Sequence, residues 1–161
     1  MNTKTLVLGL IAIICLSTAN AKKQFSGDWI TSVEGGIGEA YTYNASNSIF
    51  GVMCIENCVF YVDFQKDCTD GEEYSSLVSS DAGAKTFEMK CFHLGKRRFL
   101  SINDFDAIQT ITLKSKSIGF AIALPDSKFH VSRFSLNGSK DAQLRVLKKI
   151  IDTKQFKDTR M

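Results

Sequence analysis

The sequence has no strong excess of charge, only two histidines, and none of the short motifs of the common hydrolases. Its 20 Lys and Arg face 17 Asp and Glu, a balance too even to indicate a nucleic-acid partner. The patterns G-x-S-x-G, H-E-x-x-H and S-x-x-K do not occur after residue 21. We therefore expect no nucleic-acid binding, no cofactor, and none of the chemistry that those motifs serve.

Only the first residues contain a long apolar run. Lys4 precedes an apolar stretch at residues 6–16, and residues 19–21 read Ala-Asn-Ala, the small-x-small pattern that signal peptidase cuts after. The apolar stretch has about 11 residues, whereas a membrane-spanning helix needs roughly 20. We expect residues 1–21 to be a removed signal peptide, followed by one domain at residues 22–161 with no transmembrane span.

Four cysteines remain after the signal peptide, an even number in a chain expected to reach an oxidising compartment. Cys54 and Cys58 flank a three-residue segment that suits a tight hairpin, so we expect them to pair and to leave Cys68 for Cys91. Zinc is the alternative, but the spacing lacks the doubled C-x2-C of a zinc ribbon. We interpret the four cysteines as two structural disulfides and predict no metal site.

Short alternating segments separated by turn residues make up most of the remaining chain. Residues 85–91 are apolar on one face and polar on the other, which is typical of an antiparallel strand with one wet face. Residues 139–152 differ, because Ser139 can cap a helix and an apolar stripe that includes Leu144 and Ile151 follows. The predicted fold is a mainly β, antiparallel sandwich or barrel-like domain with one C-terminal α-helix and two disulfides.

Two segments near the C-terminus have unusual patterns. Residues 118–124 alternate bulky and small apolar side chains, so we expect a central strand whose small face packs against the C-terminal helix. In residues 129–136 the apolar side chains change parity, which predicts a bulge near Ser132 and Arg133 or a strand covered on both faces. We expect Arg133 to pair with a carboxylate, with a ligand contact as the alternative.

The densest basic run is Lys96, Arg97 and Arg98, directly before a predicted strand. Such a run can attract an anionic surface, although three exposed cations on a hairpin are commonly solvated. Together with Arg133, these three side chains are the candidate interaction residues.

The residues that most often perform catalysis are sparse. We interpret His93 and His130 as surface or edge histidines, and the pair Asp104 and Asp106 as part of a polar turn. Paired carboxylates can serve glycosidases or hold calcium, but spacing alone does not establish such a pair. No catalytic residue is predicted.

Two segments together resemble the invasion-associated locus B family of exported bacterial proteins. The first is Gly-Asp-Trp at residues 27–29, and the second is Phe-Ser-Leu-Asn-Gly at residues 134–138, followed by Ala142. The cysteine that often follows the family's tryptophan is missing, and Ser32 and Val33 stand nearby instead. The resemblance implies a periplasmic or cell-surface β-rich domain associated with host interaction, in a family without an established catalytic mechanism.

We therefore expect an exported, non-catalytic binding protein with a protein partner. The alternative is a periplasmic inhibitor or accessory protein of an envelope enzyme, whose rigid loop would lie within residues 65–80. A third hypothesis, a small hydrolase, needs Asp104, Asp106 or His130 to converge in a concave pocket. A secreted eukaryotic origin stays open, because residues 44–46 and 137–139 match the glycosylation sequon.

The signal-peptide hypothesis predicts where the exported protein begins. Protein recovered from the periplasm or the medium should start at Lys22, because cleavage follows the small residue Ala21. Amino-terminal sequencing measures this directly. An A21F variant should remain uncleaved, and an exported wild-type protein that still starts at Met1 would contradict the hypothesis.

Overall fold

The computed structural model describes residues 23–123 and 129–158, which form ten β-strands and two α-helices. The predicted signal peptide lies outside the described residues. The elements are β1 (Gln24–Ser26), β2 (Trp29–Glu34), β3 (Ile37–Tyr43), β4 (Ile49–Cys54), β5 (Cys58–Asp63), β6 (Glu73–Ser80), β7 (Gly83–Leu94), β8 (Arg97–Ile102), α1 (Phe105–Lys114), β9 (Ser117–Ala123), β10 (Phe129–Ser135) and α2 (Ser139–Asp158). Neither α1 nor α2, over its described residues, is long and apolar enough to cross a membrane.

All ten strands belong to one antiparallel sheet in the order β1-β2-β3-β4-β5-β8-β7-β6-β9-β10. The sheet folds over on itself and thereby brings aromatic rings from its two halves into contact. The ring of Phe50 in β4 lies 5.2 Å from that of Phe120 in β9 and 5.7 Å from that of Phe134 in β10. The predicted mainly β, antiparallel sandwich is therefore confirmed.

The core takes one side chain in two from most strands, as the period of a strand requires. Phe87, Met89 and Cys91 of β7 are buried, and the residues between them are exposed. The helices complete this core through Ile108 of α1 and Val146 of α2, which are both fully buried.

Two chain segments far apart in sequence join the start of the sheet to its end. Trp29 donates its indole N–H to the main-chain oxygen of Ser135 at 3.0 Å, and the amide of Asp28 donates to the oxygen of Asn137 at 3.0 Å. The Ser135 hydroxyl also donates to the Asp28 carboxylate at 2.6 Å. We call this set, Asp28, Trp29, Ser135 and Asn137, the closing contact. It unites the two segments that carry the family resemblance.

Two glycines allow the backbones at the closing contact to approach. Gly138 has φ +86°, and a Cβ there would lie 1.8 Å from the main-chain oxygen of Ser26. Gly27 has φ +53°, and a Cβ there would lie 2.6 Å from the main-chain oxygen of Asn137. Both positions therefore exclude a side chain on steric as well as conformational grounds.

The two predicted disulfides, Cys54–Cys58 and Cys68–Cys91, are present, with Cα–Cα distances of 4.0 and 6.0 Å. Cys54 lies directly opposite Cys58 across the β4–β5 hairpin. Cys68 belongs to the long loop before β6, so its bridge to Cys91 fastens that loop to β7.

The structure adds a helix, α1, where the sequence analysis placed a polar turn. Asp104 is its N-cap, and the carboxylate accepts a hydrogen bond from the amide of Ala107 at 3.1 Å. The interpretation of Asp104 and Asp106 as turn residues was therefore wrong. Their chemistry begins a helix, with Asp106 in the favourable first turn.

The C-terminal helix begins at Ser139 as predicted but extends to Asp158 instead of ending near residue 152. Among the side chains of this helix that the structure describes, the buried ones are Ser139, Ala142, Gln143 and Val146. Leu144 and Ile151 of the predicted stripe are 53% and 54% exposed. Two further expectations for this helix were also wrong.

Ser139 does not act as the expected cap. Its hydroxyl donates to the main-chain oxygen of Thr112 at 2.8 Å and so joins α2 to α1. The main contacts of α2 are with β2 and β3, not with the small face of β9. On that small face, Gly119 instead lies beside the Ser79 hydroxyl of the neighbouring strand β6.

Strand β10 has no bulge. Its register with β9 is unbroken from Phe129 opposite Ala123 to Ser135 opposite Ser117. The change of parity has another cause, because Phe129 and Val131 lie on the outer face and are 68% and 69% exposed. As an end strand, β10 tolerates apolar side chains that nothing in the described part of the chain covers.

The closing contact predicts a large difference between two glycine substitutions. G138A should lower the free energy of unfolding by about 3 kcal/mol or more, because it combines backbone strain with a steric clash against main-chain atoms. G35A should cost about 1–2 kcal/mol, since Gly35 has φ +57° but open space around its Cβ position. Urea denaturation of both variants measures these losses. Equal losses would contradict a close approach at Gly138.

Candidate functional site

The predicted basic run lies at the turn between β7 and β8. Because β8 pairs with both β7 and β5, this turn lies beside the end of β5 and the loop that follows it. Together they form an open cleft of about 700 Å³, which we call the cationic cleft. Its lining residues are Ile49, Asp63, Gln65, Lys66, Asp67, Lys96, Arg97 and Arg98.

Arg97 is fixed in place by side chains of β3 and β5. Its guanidinium donates two hydrogen bonds to the Glu39 carboxylate, at 2.8 and 3.2 Å, and a longer one to the Tyr61 hydroxyl at 3.4 Å. The guanidinium carbon also lies 5.7 Å from the centre of the Tyr61 ring. The bidentate contact with the carboxylate and the aromatic ring together hold the Arg97 guanidinium in one orientation.

Tyr61 is fully buried with Met53 and Phe99 in a small apolar cluster separate from the main core. Burial raises the pKa of Tyr61 well above its ordinary value of 10.0, and the negative charge of Glu39 raises it further. The phenol therefore stays neutral and donates its hydrogen bond to Glu39. Glu39, with a side chain 14% exposed, thus has both a neutral and a cationic partner.

The other cations of the cleft are held less firmly. Arg98 contacts Asp67 at 2.5 Å, but their side chains are 45% and 92% exposed, so water competes for both. Lys66 and Lys96 are exposed, and neither forms an ion pair with a carboxylate among the side chains that the structure describes. The cleft thus presents one fixed cation, one exchangeable cation and two unpaired cations.

The loop at residues 64–72 forms one wall of the cleft and is fastened to β7. The Cys68–Cys91 disulfide holds its middle, and the amide of Gly71 donates to the Cys91 oxygen at 3.0 Å. The amide of Cys91 in turn donates to the oxygen of Glu72 at 2.8 Å. The wall is therefore both exposed and anchored.

One cluster near this loop brings metal-ligating atoms together. Potential ligand atoms of Cys68, Cys91 and His93 lie within 4.8 Å of one another. Both sulfurs are joined in the disulfide, so neither is a thiolate that could bind a metal. His93 is half-buried, with its Nε2 3.3 Å from the Cys68 oxygen.

A smaller recess of about 70 Å³ lies next to the cationic cleft, and we call it the apolar recess. Lys66, Asp67 and Arg98 line both spaces and so form the boundary between them. The remaining lining is mostly apolar: Phe64, Cys68, Tyr74, Phe99, Leu100, Ile122 and His130.

His130 lies on the end strand β10, in agreement with its interpretation as an edge histidine, but its side chain is on the inner face of the strand and not at the surface. It is half-buried, and its ring lies 4.7 Å from that of Phe64. Burial lowers the pKa of His130, and the positive charge of Lys66 lowers it further. The imidazole is therefore neutral at pH 7 and adds an uncharged wall to the recess.

The remaining predicted site residues lie elsewhere. Asp104 and Asp106 line a different open cleft of about 650 Å³, and Asp104 pairs with Lys85 at 3.2 Å. The hydrolase hypothesis required Asp104, Asp106 or His130 to converge in one pocket. The two carboxylates share this open cleft, whereas His130 lines the apolar recess and does not join them. Arg133 is exposed on β10, and its expected carboxylate partner does not occur among the described residues.

Sequence reasoning found the basic run but missed Glu39, Tyr61 and Lys66. The contact between Glu39 and Arg97 spans 58 positions and depends on the order β3-β4-β5-β8. No local spacing encodes that order. Lys66 could have been found, because its neighbour Cys68 was already expected to anchor the loop.

The hydrogen-bond network of Glu39, Tyr61 and Arg97 predicts unequal effects of two substitutions. E39A should lower the free energy of unfolding by about 2–4 kcal/mol, because it leaves the buried Tyr61 hydroxyl and the Arg97 guanidinium without their acceptor. K85A removes an exposed ion pair and should cost less than about 1 kcal/mol. Chemical denaturation compares the two, and a loss for E39A no larger than for K85A would contradict the network.

Comparison with known proteins yields a fold likeness. No family model and no curated protein matches the chain. Among solved structures, the chain resembles the crystal structure of invasion associated protein B from Bartonella henselae, with a TM-score of 0.55 and 13% sequence identity. The match covers 84% of this chain and 99% of that one. The two proteins therefore share a fold across nearly the whole of the solved structure.

Proposed function

We propose that this chain is an exported binding protein that acts through contact at the cationic cleft and not through catalysis. The observation that carries the proposal is the anchoring of Arg97 by Glu39 and Tyr61 next to the exposed cations of the cleft. A cation that is oriented before a partner arrives loses little freedom on binding, which favours recognition. Solvated lysines alone would not be organised in this way.

Two separate features support an exported protein. Two disulfides are typical of proteins that reach an oxidising compartment, and they are consistent with export. The solved structure that shares the fold is titled an invasion associated protein. That likeness supports the proposal that the partner of this chain lies on the surface of a host cell.

A non-catalytic role agrees with the placement of the titratable groups. The cationic cleft contains no histidine, and its carboxylates Asp63 and Asp67 are each engaged, Asp63 with the amide of Gln65 and Asp67 with Arg98. General acid–base catalysis needs a group that is free to exchange a proton with the substrate. The cleft offers charge and shape in place of such a group.

The second candidate, an inhibitor or accessory protein of an envelope enzyme, is favoured by the anchored loop at residues 64–72. Inhibitory loops gain affinity when their bound shape is fixed in advance. The disulfide and the main-chain hydrogen bonds to Cys91 supply that rigidity. In this case the loop would enter the partner, whereas in the leading proposal the partner enters the cleft.

Charge reversal tests the leading proposal. The oxidised exported protein, fluorescently labelled, should bind cultured animal cells saturably, and a K66E/K96E variant should bind at least about tenfold more weakly because the cleft loses its unpaired cations. A K140E/K148E variant changes the net charge of the protein by the same amount, but its substitutions lie on α2, outside the cleft. It should bind like the wild type. Flow cytometry measures all three.

Two results would overturn the proposal. The wild-type protein could fail to bind saturably, or both double variants could weaken binding equally, which would indicate attraction by net charge alone. Urea denaturation controls for folding, and no large effect is expected because all four lysines are exposed.

A further inference from the structure

The cationic cleft and the apolar recess share a boundary, and their chemistries are complementary. The cleft presents cations, while the recess presents apolar walls and an imidazole that is neutral at pH 7. A ligand that fills both must carry negative charge beside a short apolar group. Neither a purely anionic surface nor a purely apolar one would use the whole site.

The size of the recess limits the apolar group. Its volume is about 70 Å³, less than half of the roughly 150 Å³ that holds benzene in an engineered apolar cavity. An aliphatic side chain of three or four carbons matches this volume, whereas an indole ring or a lipid acyl chain exceeds it. The volume therefore favours a peptide side chain over a lipid acyl chain.

The boundary between the cleft and the recess already contains an ion pair of the kind that a ligand carboxylate would form. Arg98 binds the carboxylate of Asp67, which is 92% exposed and belongs to the anchored loop. An exposed ion pair of this kind is worth little, so a carboxylate from a ligand can replace Asp67 at small cost. Asp67 thus occupies the place where a ligand carboxylate would bind.

From this juxtaposition we infer that the site binds an acidic peptide segment in which a small aliphatic side chain lies between carboxylates. The aliphatic side chain enters the apolar recess, and the carboxylates contact Lys66, Lys96 and Arg98. This inference rests on the proposed function and adds the chemistry of the partner. The Cys68–Cys91 disulfide, which contributes Cys68 to the wall, keeps the recess open before binding.

Synthetic peptides test the aliphatic requirement. Fluorescein-labelled peptides of sequence Glu-Glu-X-Glu-Glu, with X as Val, Leu, Ser or Trp, are titrated with the oxidised exported protein and followed by fluorescence anisotropy. The Val and Leu peptides should bind at least about fivefold more tightly than the Ser peptide, because only they bury apolar surface in the recess. The Trp peptide should gain nothing over the Ser peptide, because its ring exceeds the recess.

A matched pair of variants tests the role of Asp67. D67N should tighten binding of the Leu peptide at least about threefold, because it frees Arg98 from its internal carboxylate. D70N removes the same charge from the same exposed loop but lines neither space, and should change binding less. Both substitutions lie at exposed positions, so the fold is not at risk.

The outcomes separate this inference from the proposed function. Equal binding of the Ser and Leu peptides, tighter binding of the Trp peptide, or equal effects of D67N and D70N would overturn the peptide chemistry. If cell binding still depended on Lys66 and Lys96, the cleft would stand as the contact site and only its ligand class would be wrong. If cell binding failed while the peptides followed the expected order, the site chemistry would stand without a host-cell partner.

Discussion

A ten-stranded sheet can bury its inner face only if its two halves are held together, and here the closing contact does so. The indole of Trp29 is fully buried and reaches Ser135 across 106 positions of the chain. Its ring also lies 5.8 Å from that of Phe50, so the same side chain belongs to the core and to the contact. Because α2 follows two residues after Asn137, the contact also sets where that helix starts.

The parts of the fold that depend on a period of two were predictable. The alternation in β4, β5 and β7 placed Cys54, Cys58 and Cys91 on inward faces, and a short hairpin loop left few options for their partners. The resemblance added a different kind of information, since its two segments are distant in sequence yet meet in space. The alternation of side chains therefore predicted the strands and disulfides, whereas the resemblance pointed to the two segments that join the ends of the sheet.

The predictions that were wrong concern features that depend on tertiary context. Whether Leu144 or Gln143 of α2 is buried depends on which strands receive the helix, and that follows from the folding of the sheet. Phe129 and Val131 are exposed because β10 is an end strand, a fact that strand order alone reveals. For α1, by contrast, a local signal existed: an aspartate followed by another in the first turn is a common way to begin a helix.

The candidate site combines these two levels. Three of its four cations, Lys96, Arg97 and Arg98, adjoin in sequence, so their presence near one turn was predictable, but their differences come from the sheet. Arg97 faces Glu39 and Tyr61 because β8 lies beside β5, Arg98 faces the anchored loop, and Lys96 projects from the turn itself. Three neighbouring residues thus become a fixed, an exchangeable and an unpaired charge. Such a site can orient a partner with its fixed cation and form new contacts through the other two. This division supports a role in recognition, as opposed to a set of cations that only contact water.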